Sequence, residues 1–262
     1  MVMEYATDGN LREYLETHFP TLTWHKRFRI LYSIIDNLKY IHSKGYIHKD
    51  LHSGNILYFD DYAKITDLGL AQSINQLNSN VCGVLPYVAP EVLDGKSYTF
   101  ASDIYSFGII MIEISNGKPP YGNLQHDEKL ASAICNGLRP RVASGTPKHY
   151  IDLINRCTDA NPDNRPTSGE LLEEIRGWMS YDVEEFVDVH GKDDLPKCSP
   201  EIMLNSEAIY TSRLMSFNNL PKPKNLKGIQ IEDPECNKFI MIIIISYSII
   251  KNLCIYVIYL FI

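Results

Sequence analysis

The stretch SDIYSFGIIMIEISNG at residues 102–117 constrains the fold more than any other part of the sequence. After its opening Ser-Asp pair it is apolar around most of the circumference of a helix, which is typical of a helix buried on all sides. Such a helix forms the centre of a domain and needs other elements around it. The 262 residues, 45% of them hydrophobic, can supply them. We therefore predict a mainly helical globular body built around this stretch.

Four more stretches predict helices and three predict strands. Residues 24–43 carry apolar side chains at the three-and-four spacing of an amphipathic helix, and helical patterns recur at residues 126–136, 148–158 and 167–179. The last opens with Thr167 and Glu170 at capping-box spacing. The short apolar runs YIH, NILYF and AKITDLG are separated by turn residues, which predicts small strands that frame loops.

The composition changes after Met179 and sets the predicted domain boundary. Residues 1–179 form the predicted folded domain, whereas residues 180–238 are first acidic and then rich in Pro, Lys and Asn without periodicity, which predicts a flexible linker. The formal charge of −7 and the lack of a Lys/Arg cluster argue against a nucleic-acid partner. Six widely spaced cysteines without CxxC pairs indicate reduced thiols and a cytoplasmic chain.

The final 24 residues, 239–262, are hydrophobic and carry one charge, Lys251. A helix of this length spans about 36 Å at 1.5 Å per residue, which is enough for a C-terminal membrane anchor. However, Lys251 and Asn252 lie in mid-span, where a charge is costly. The composition is also what translated A/T-rich non-coding DNA would give. We prefer a mis-bounded gene model and keep the anchor, with a membrane partner through residues 239–262, as the other interpretation.

Three residues in the loops match the needs of phosphoryl transfer from ATP. That chemistry requires a carboxylate to take the proton of the attacking hydroxyl and oxygen ligands for Mg²⁺ on the phosphates. Asp50 in HKDLHSGN is the candidate base, and Asn55 and Asp67, the latter in ITDLGL, are the candidate metal ligands. An Asp and an Asn five residues apart have little meaning alone, so the order of the surrounding motifs decides.

Six motifs in the right order resemble those of the protein kinase family over residues 1–179. In chain order they are a hinge (VMEYATDGNL), a catalytic loop (HKDLHSGNIL), a magnesium loop (DLG), the end of an activation segment (GVLPYVAPE), the start of a central helix (SDIYSFG) and an Arg-bearing turn (NPDNRPT). The resemblance implies a mainly α-helical C-terminal lobe with short β-strands around the catalytic loop. It also implies an enzyme that uses ATP and Mg²⁺ to phosphorylate Ser/Thr or Tyr hydroxyls of a protein substrate.

The resemblance also implies roles for individual residues. Asp50, Asn55 and Asp67 would be the catalytic set, with Asn55 and Asp67 on the metal. The residues implied for adenosine binding are the hinge residues Met3, Glu4 and Ala6, Asn10 near the ribose, and Leu57 under the adenine. Two further implied roles are structural: Glu91 and Arg165 would form a buried ion pair, and Asp103 would brace the backbone of the catalytic loop.

Several positions depart from the usual family pattern. Lys49 stands where most members have Arg, which questions control by activation-loop phosphorylation because an ammonium lacks the bidentate guanidinium fork. Leu68 replaces a Phe, and we expect it to serve simple packing. His52 and Val84 stand where Ser/Thr kinases usually have Lys and Thr. These features favour the tyrosine-kinase-like branch and leave the hydroxyl specificity open; we expect His52 to be a loop contact.

The largest departure is that the sequence starts inside the hinge. None of its 15 glycines forms a G-x-G pair, so we expect the family's N-terminal lobe, with its Gly-rich loop and phosphate-binding Lys, to be missing from these residues. We expect this chain alone to be inactive as a kinase. The alternative function is a non-catalytic, kinase-like binding or scaffold module.

Overall fold

A computed structural model describes residues 6–60, 62–74, 81–179, 205–217 and 219–226. The helices of this part are α1 (Leu11–His18), α2 (Trp24–Ser43), α3 (Pro90–Leu93), α4 (Phe100–Asn116), α5 (Glu128–Cys135), α6 (Lys148–Cys157) and α7 (Ser168–Met179). Its strands are β1 (Tyr46–Ile47), β2 (Ile56–Phe59), β3 (Tyr62–Ile65), β4 (Gln72–Ser73), β5 (Val81–Gly83) and β6 (Arg213–Met215).

Helix α4 is the centre of the fold, as the sequence predicted. Every residue from 102 to 115 is buried. The side chain of Thr99 caps its N-terminus, and Gly117 ends it with a φ of 69°, a left-handed conformation that glycine adopts without strain. Helix α6 approaches so closely that a Cβ on Gly108 would lie 2.7 Å from the Cβ of Cys157. A larger residue at position 108 would therefore separate α4 from α6.

Helices α2 and α6 pack on α4, and the four other helices with predicted bounds, α2, α5, α6 and α7, are found close to those bounds. Helix α2 starts and ends where its periodicity predicted, and it packs against α7. Helices α5, α6 and α7 agree with prediction within two residues at each end. The predicted capping box of α7 is present: the Thr167 amide donates to the carboxylate of Glu170 at 2.7 Å, and the Glu170 amide donates to Thr167 Oγ1 at 3.2 Å. In α2, α5 and α7 a capping side chain precedes residues whose apolar side chains repeat at helical spacing, so the local signals agree.

The strands form three two-stranded antiparallel sheets, β1 with β4, β2 with β3, and β5 with β6. The runs YIH, NILYF and AKITDLG supply β1, β2 and β3, as predicted. In the second sheet Ile56 pairs with Ile65, so the residue before β2 and the residue after β3 meet at one end. There the Thr66 amide donates to the Asn55 carbonyl at 2.9 Å. This pairing places the two predicted metal-binding loops side by side.

Two segments within the predicted linker range pack on the helical body. Residues 205–217 include β6, and Lys224 of the following segment donates its amide to the Cys135 carbonyl at 3.0 Å. The Ala160 amide donates to Asn225 Oδ1 at 2.8 Å. These contacts use extended backbone and single polar groups rather than a periodic apolar face, which is why hydrophobic periodicity does not predict them.

The hydrophobic tail, residues 239–262, lies outside the described residues. Among the helices that the structure describes, none combines the length and the apolar character needed to cross a membrane.

Candidate functional site

The loop between β1 and β2 is fixed by the carboxylate of Asp103 at the start of α4. Asp103 accepts hydrogen bonds from the backbone amides of His48 at 2.8 Å and Lys49 at 3.0 Å, and it lies 2.9 Å from His42 Nε2 on α2. Lys49 has a φ of 71°, a conformation that costs a non-glycine residue about 1–3 kcal/mol. The predicted bracing by Asp103 is thus present, and it holds a strained turn next to Asp50.

Asp50 and Asn55 are in direct contact. Asn55 Nδ2 donates to the Asp50 carbonyl at 3.0 Å and to Asp50 Oδ2 at 3.2 Å. Burial alone would raise the pKa of Asp50, but the nearby His52, the hydrogen bond from Ser212 and the charge of His48 outweigh it and lower that pKa. The carboxylate is therefore ionised near neutral pH, which is the state that a proton acceptor needs. Asp50 Oδ1 is buried and has no hydrogen-bond partner among the described residues.

Asp67 follows β3 and is exposed. It has a φ of 56°, and its Oδ1 accepts from the amide of Gly69 at 3.2 Å. Its neighbour Thr66 donates from both its amide and its hydroxyl to the Asn55 carbonyl, at 2.9 and 3.0 Å. The Asp67 carboxylate and the Asn55 side chain thus project from adjoining loops.

The oxygen atoms of Asn55 and Asp67 fit a Mg²⁺ ion chemically. The two hydrogen bonds of the Asn55 side chain to Asp50 both use Nδ2, which leaves Oδ1 as an acceptor. Mg²⁺ prefers such hard oxygen ligands and is usually held by one or two protein groups plus substrate phosphates. In the part of the chain that the structure covers, no group of three or more His, Cys, Asp or Glu could hold a metal.

Of the residues predicted to bind adenosine, three are described. Leu57 lies half-buried in β2 and forms a bridge with Asn10. Asn10 caps α1: its Oδ1 accepts from the Glu13 amide at 3.2 Å, so its side-chain oxygen is engaged and its NH₂ group is the part that could reach a ribose. Ala6 is half-buried, and Met3 and Glu4 lie outside the described residues.

A buried polar network beneath the loop had no signal in the sequence. Glu113 of α4 accepts hydrogen bonds from Ser53 Oγ at 2.8 Å and Tyr87 Oη at 2.7 Å, and Arg12 Nε lies 3.9 Å away. Burial raises the pKa of Glu113, against the opposing effects of Arg12 and these hydrogen bonds. The four residues are far apart in the chain, and each is ordinary in its local context. The network ties the loop to α4 and to the segment around Tyr87.

The predicted ion pair between Glu91 and Arg165 is present and buried. Arg165 Nη1 and Nη2 each donate to one carboxylate oxygen of Glu91 at 2.7 Å. The same guanidinium also donates to the carbonyls of Ala101 at 2.8 Å and Asp159 at 2.9 Å. Paired charges with their remaining protons satisfied are the form in which an ion pair is tolerated inside a protein. The pair joins α3 to the turn before α7.

The positions that depart from the family pattern have identifiable contacts. Lys49 Nζ donates to Gln72 Oε1 at 3.1 Å and lies 5.0 Å from the centre of the Tyr98 ring. His52 Nδ1 accepts from the Gly54 amide at 3.1 Å, which is the predicted loop contact. Val84 is buried. Leu68, expected to serve packing, is instead 57% exposed, because its short 3₁₀ turn lies at the surface of the described residues.

Comparisons with known proteins identify a matching family and several similar proteins. The sequence profile of the family described as protein tyrosine and serine/threonine kinase matches residues 1–175. Receptor-interacting serine/threonine-protein kinase 1 of Homo sapiens is 32% identical over 256 residues, which are 89% of this chain and 37% of that protein. Two Dictyostelium discoideum proteins are also similar. One, named as a serine/threonine-protein kinase, is 34% identical over 184 residues, 67% of this chain and 17% of its own length.

The other Dictyostelium relative, named as a LIM domain-containing serine/threonine-protein kinase, is 31% identical over 179 residues, 67% of this chain and 27% of its own length. The chain thus spans well under two thirds of each relative. Because the family profile covers more than half of the chain, and the motifs that carry it surround Asp50, the chain belongs to the protein kinase family of phosphotransferases.

Proposed function

We propose that this chain contributes the C-terminal lobe of an ATP-dependent kinase that phosphorylates Ser/Thr hydroxyls of proteins. The observation that carries the proposal is the contact between Asp50 and Asn55, with Asp67 on the adjoining loop. This is one base and two oxygen ligands at one end of the β2–β3 sheet. The relatives named as serine/threonine-protein kinases support the choice of hydroxyl.

In this proposal Asp50 accepts the proton of the substrate hydroxyl. Its lowered pKa supports the role, because the ionised form is present at neutral pH. His52 lies 3.7 Å from Asp50 Oδ1 and favours the ionised carboxylate. Asp103 positions the loop through the amides of His48 and Lys49.

Asn55 and Asp67 would hold Mg²⁺ against the phosphates of ATP. Bound Mg²⁺–ATP supplies the phosphoryl group and the positive charge that neutralises its oxygens. On the adenosine side, Leu57 would lie against the base, Asn10 would reach the ribose, and Ala6, with Met3 and Glu4 in the sequence before it, would bond the adenine edge. The half-buried position of Leu57 and its bridge with Asn10 support that placement.

The chain is proposed to belong to the tyrosine-kinase-like branch. This rests on the DLHSGN sequence and on His52 and Val84 in place of the more usual Lys and Thr. The engagement of Lys49 by Gln72 and Tyr98 supports a catalytic loop that is not controlled by an activation-loop phosphate, because the cation already has partners.

We further propose that these 262 residues alone transfer phosphate at a negligible rate. They contain no G-x-G loop to cover the phosphates. Removing even one positioned electrostatic group typically lowers a rate by about 10² to 10³. A protein extended upstream by an N-terminal lobe would complete the site.

The test compares the 262-residue chain with such an extended protein in a radiolabelled phosphate transfer assay, followed by phosphoamino-acid analysis. We expect incorporation into Ser or Thr only by the extended protein, and its loss in Asp50→Asn and Asp67→Asn. Asp152→Asn, at an exposed surface ion pair, is the matched control. Full activity after Asp50→Asn would refute the assignment of the base, and inactivity of every version would favour the non-catalytic binding module.

A further inference from the structure

The segment of residues 205–217, here called the cis segment, lies across the candidate site. Its strand β6 pairs with β5, with Cys82 opposite Leu214 and Gly83 opposite Arg213. Strand β5 adjoins Asp50: a Cβ on Gly83 would lie 3.4 Å from Asp50 Oδ1. The pairing therefore brings the cis segment directly to the predicted base.

Ser212, the residue before β6, touches that base. Its Oγ donates to Asp50 Oδ2 at 2.5 Å and lies 3.5 Å from His52 Nε2. A hydroxyl whose proton points at an ionised carboxylate is the arrangement required for general-base activation. Ser212 as a residue is nevertheless exposed, so the contact does not enclose the hydroxyl. It thus occupies the place that the proposed mechanism reserves for the hydroxyl of a substrate.

Contacts on both sides of Ser212 hold the cis segment in register. Two residues before it, the Tyr210 hydroxyl donates to the Pro120 carbonyl at 2.9 Å, and the Arg12 guanidinium lies 4.7 Å from the centre of the Tyr210 ring. Three residues after it, Met215 is 8% exposed in the core. The anchors on the body come from different elements, and together with β5 and Asp50 they form the surface, here called the groove, that the cis segment covers.

We propose that this groove is the acceptor-peptide site and that the cis segment is its intramolecular ligand, with Ser212 in the acceptor position. The groove then favours peptides with an aromatic residue two positions before the hydroxyl and an unbranched apolar residue three positions after it. A protein substrate must displace the cis segment to reach Asp50. This inference rests on the proposed function, since it takes Asp50 to be the base.

Docking of the cis segment can be captured by a disulfide, without any phosphate transfer. Leu214→Cys in the full chain places a thiol opposite the native Cys82, and paired residues of antiparallel strands lie about 4.5–5.5 Å apart between Cα atoms, within the range of a disulfide. Mild oxidation followed by peptide mapping should give a disulfide between Cys82 and the introduced thiol in most molecules. Its absence would overturn the docking.

The contact with Asp50 is tested by adding Ser212→Asp to the Leu214→Cys chain. A second carboxylate against Asp50 should slow formation of the disulfide by at least about tenfold, because like charges in contact disfavour an interface strongly. Thr211→Asp, which adds the same charge at an exposed neighbour, is the matched control and should trap at the unmodified rate. Equal rates for the two Asp variants would show that Ser212 does not hold the segment on the base.

A labelled peptide of residues 205–217 tests whether the groove is a binding site. It should bind the Ser212→Asp chain, whose groove is vacated, at least about tenfold more tightly than the unmodified chain, whose own segment competes with it. Failure to bind the Ser212→Asp chain would overturn the groove assignment. Neither measurement needs ATP, Mg²⁺ or catalysis. An extended protein that transfers no phosphate even as its Ser212→Asp variant, whose groove is vacated, would therefore refute the proposed function alone.

Discussion

The ion pair between Glu91 and Arg165 offers the sharpest test of how the domain is held together. Arg165→Ala would leave the Glu91 carboxylate, whose side chain is 3% exposed, buried without its bidentate partner. It would also remove the donor to the carbonyls of Ala101 and Asp159. Breaking a buried pair from one side costs about 3–5 kcal/mol. For a domain of this size each kcal/mol shifts the melting temperature by about 2–4 °C, so we expect a decrease of roughly 6–20 °C.

The matched control is Arg156→Ala, which breaks an Arg–Glu pair of similar length at the surface. Arg156 and Glu174 are 2.5 Å apart, but their side chains are 50% and 35% exposed. Exposed pairs contribute about 0–1 kcal/mol. Thermal and urea unfolding, followed by circular dichroism, should separate the two variants clearly. Similar destabilisation by both would refute the reasoning that burial makes the Glu91–Arg165 pair indispensable.

A double variant separates the cost of an orphaned charge from the net contribution of the pair. Replacing both members with apolar residues, Glu91→Leu with Arg165→Met, leaves no unpaired charge and should recover most of the stability lost in Arg165→Ala. No recovery in the double variant would show that the guanidinium's bonds to the two carbonyls dominate instead.

Two further stability predictions follow from the packing and from the buried acid. Gly108→Ala should destabilise the domain by about 1–3 kcal/mol because its Cβ would overlap Cys157. Gly177→Ala in α7, where a Cβ meets nothing within 4 Å, should stabilise it by up to about 1 kcal/mol. Urea midpoints that shift in the same direction for both variants would contradict this reasoning. Burial raises the pKa of Glu113 above its ordinary value of 4.5. The wild-type protein therefore loses stability as the pH rises from 4.5 through the pKa of the folded state, and Glu113→Gln avoids that loss. The free energy of unfolding of the variant, relative to wild type, should increase over that range, and a pH-independent difference would disprove the assignment.

The helices could be predicted because their signals are local. The apolar residues of α2 repeat at helical spacing, the Thr167–Glu170 box starts α7, and α4 is apolar all round, so each element is specified within its own residues. The predicted contacts of Asp103 with the loop, and of Glu91 with Arg165, came from the order of motifs and not from periodicity. The physical reason for the first is visible only in the structure, as the left-handed φ of Lys49.

What the sequence did not reveal are contacts between ordinary polar residues that lie far apart in the chain. Ser53 and Glu113 are 60 residues apart, and Asp50 and Ser212 are 162 apart. Nothing in the local pattern around Ser212 distinguishes it from the other hydroxyls of the predicted linker. The docking of β6 depends on backbone pairing with β5, which any extended segment can offer. Tertiary pairing of this kind leaves no signature in hydrophobic periodicity.

The Asp103 carboxylate has three roles, and these determine how a destabilising substitution elsewhere in the domain would affect the site. The same two oxygens hold the turn beside Asp50, contact His42 of α2, and stand at the start of the central helix α4. The turn therefore has no independent way to relax, and a molecule with α4 in place has Asp50 in place. Substitutions in the distant core should reduce the number of competent molecules without changing what each remaining one does. A titration of functional sites would then count fewer sites per mole of such a variant, each with the properties of the intact protein.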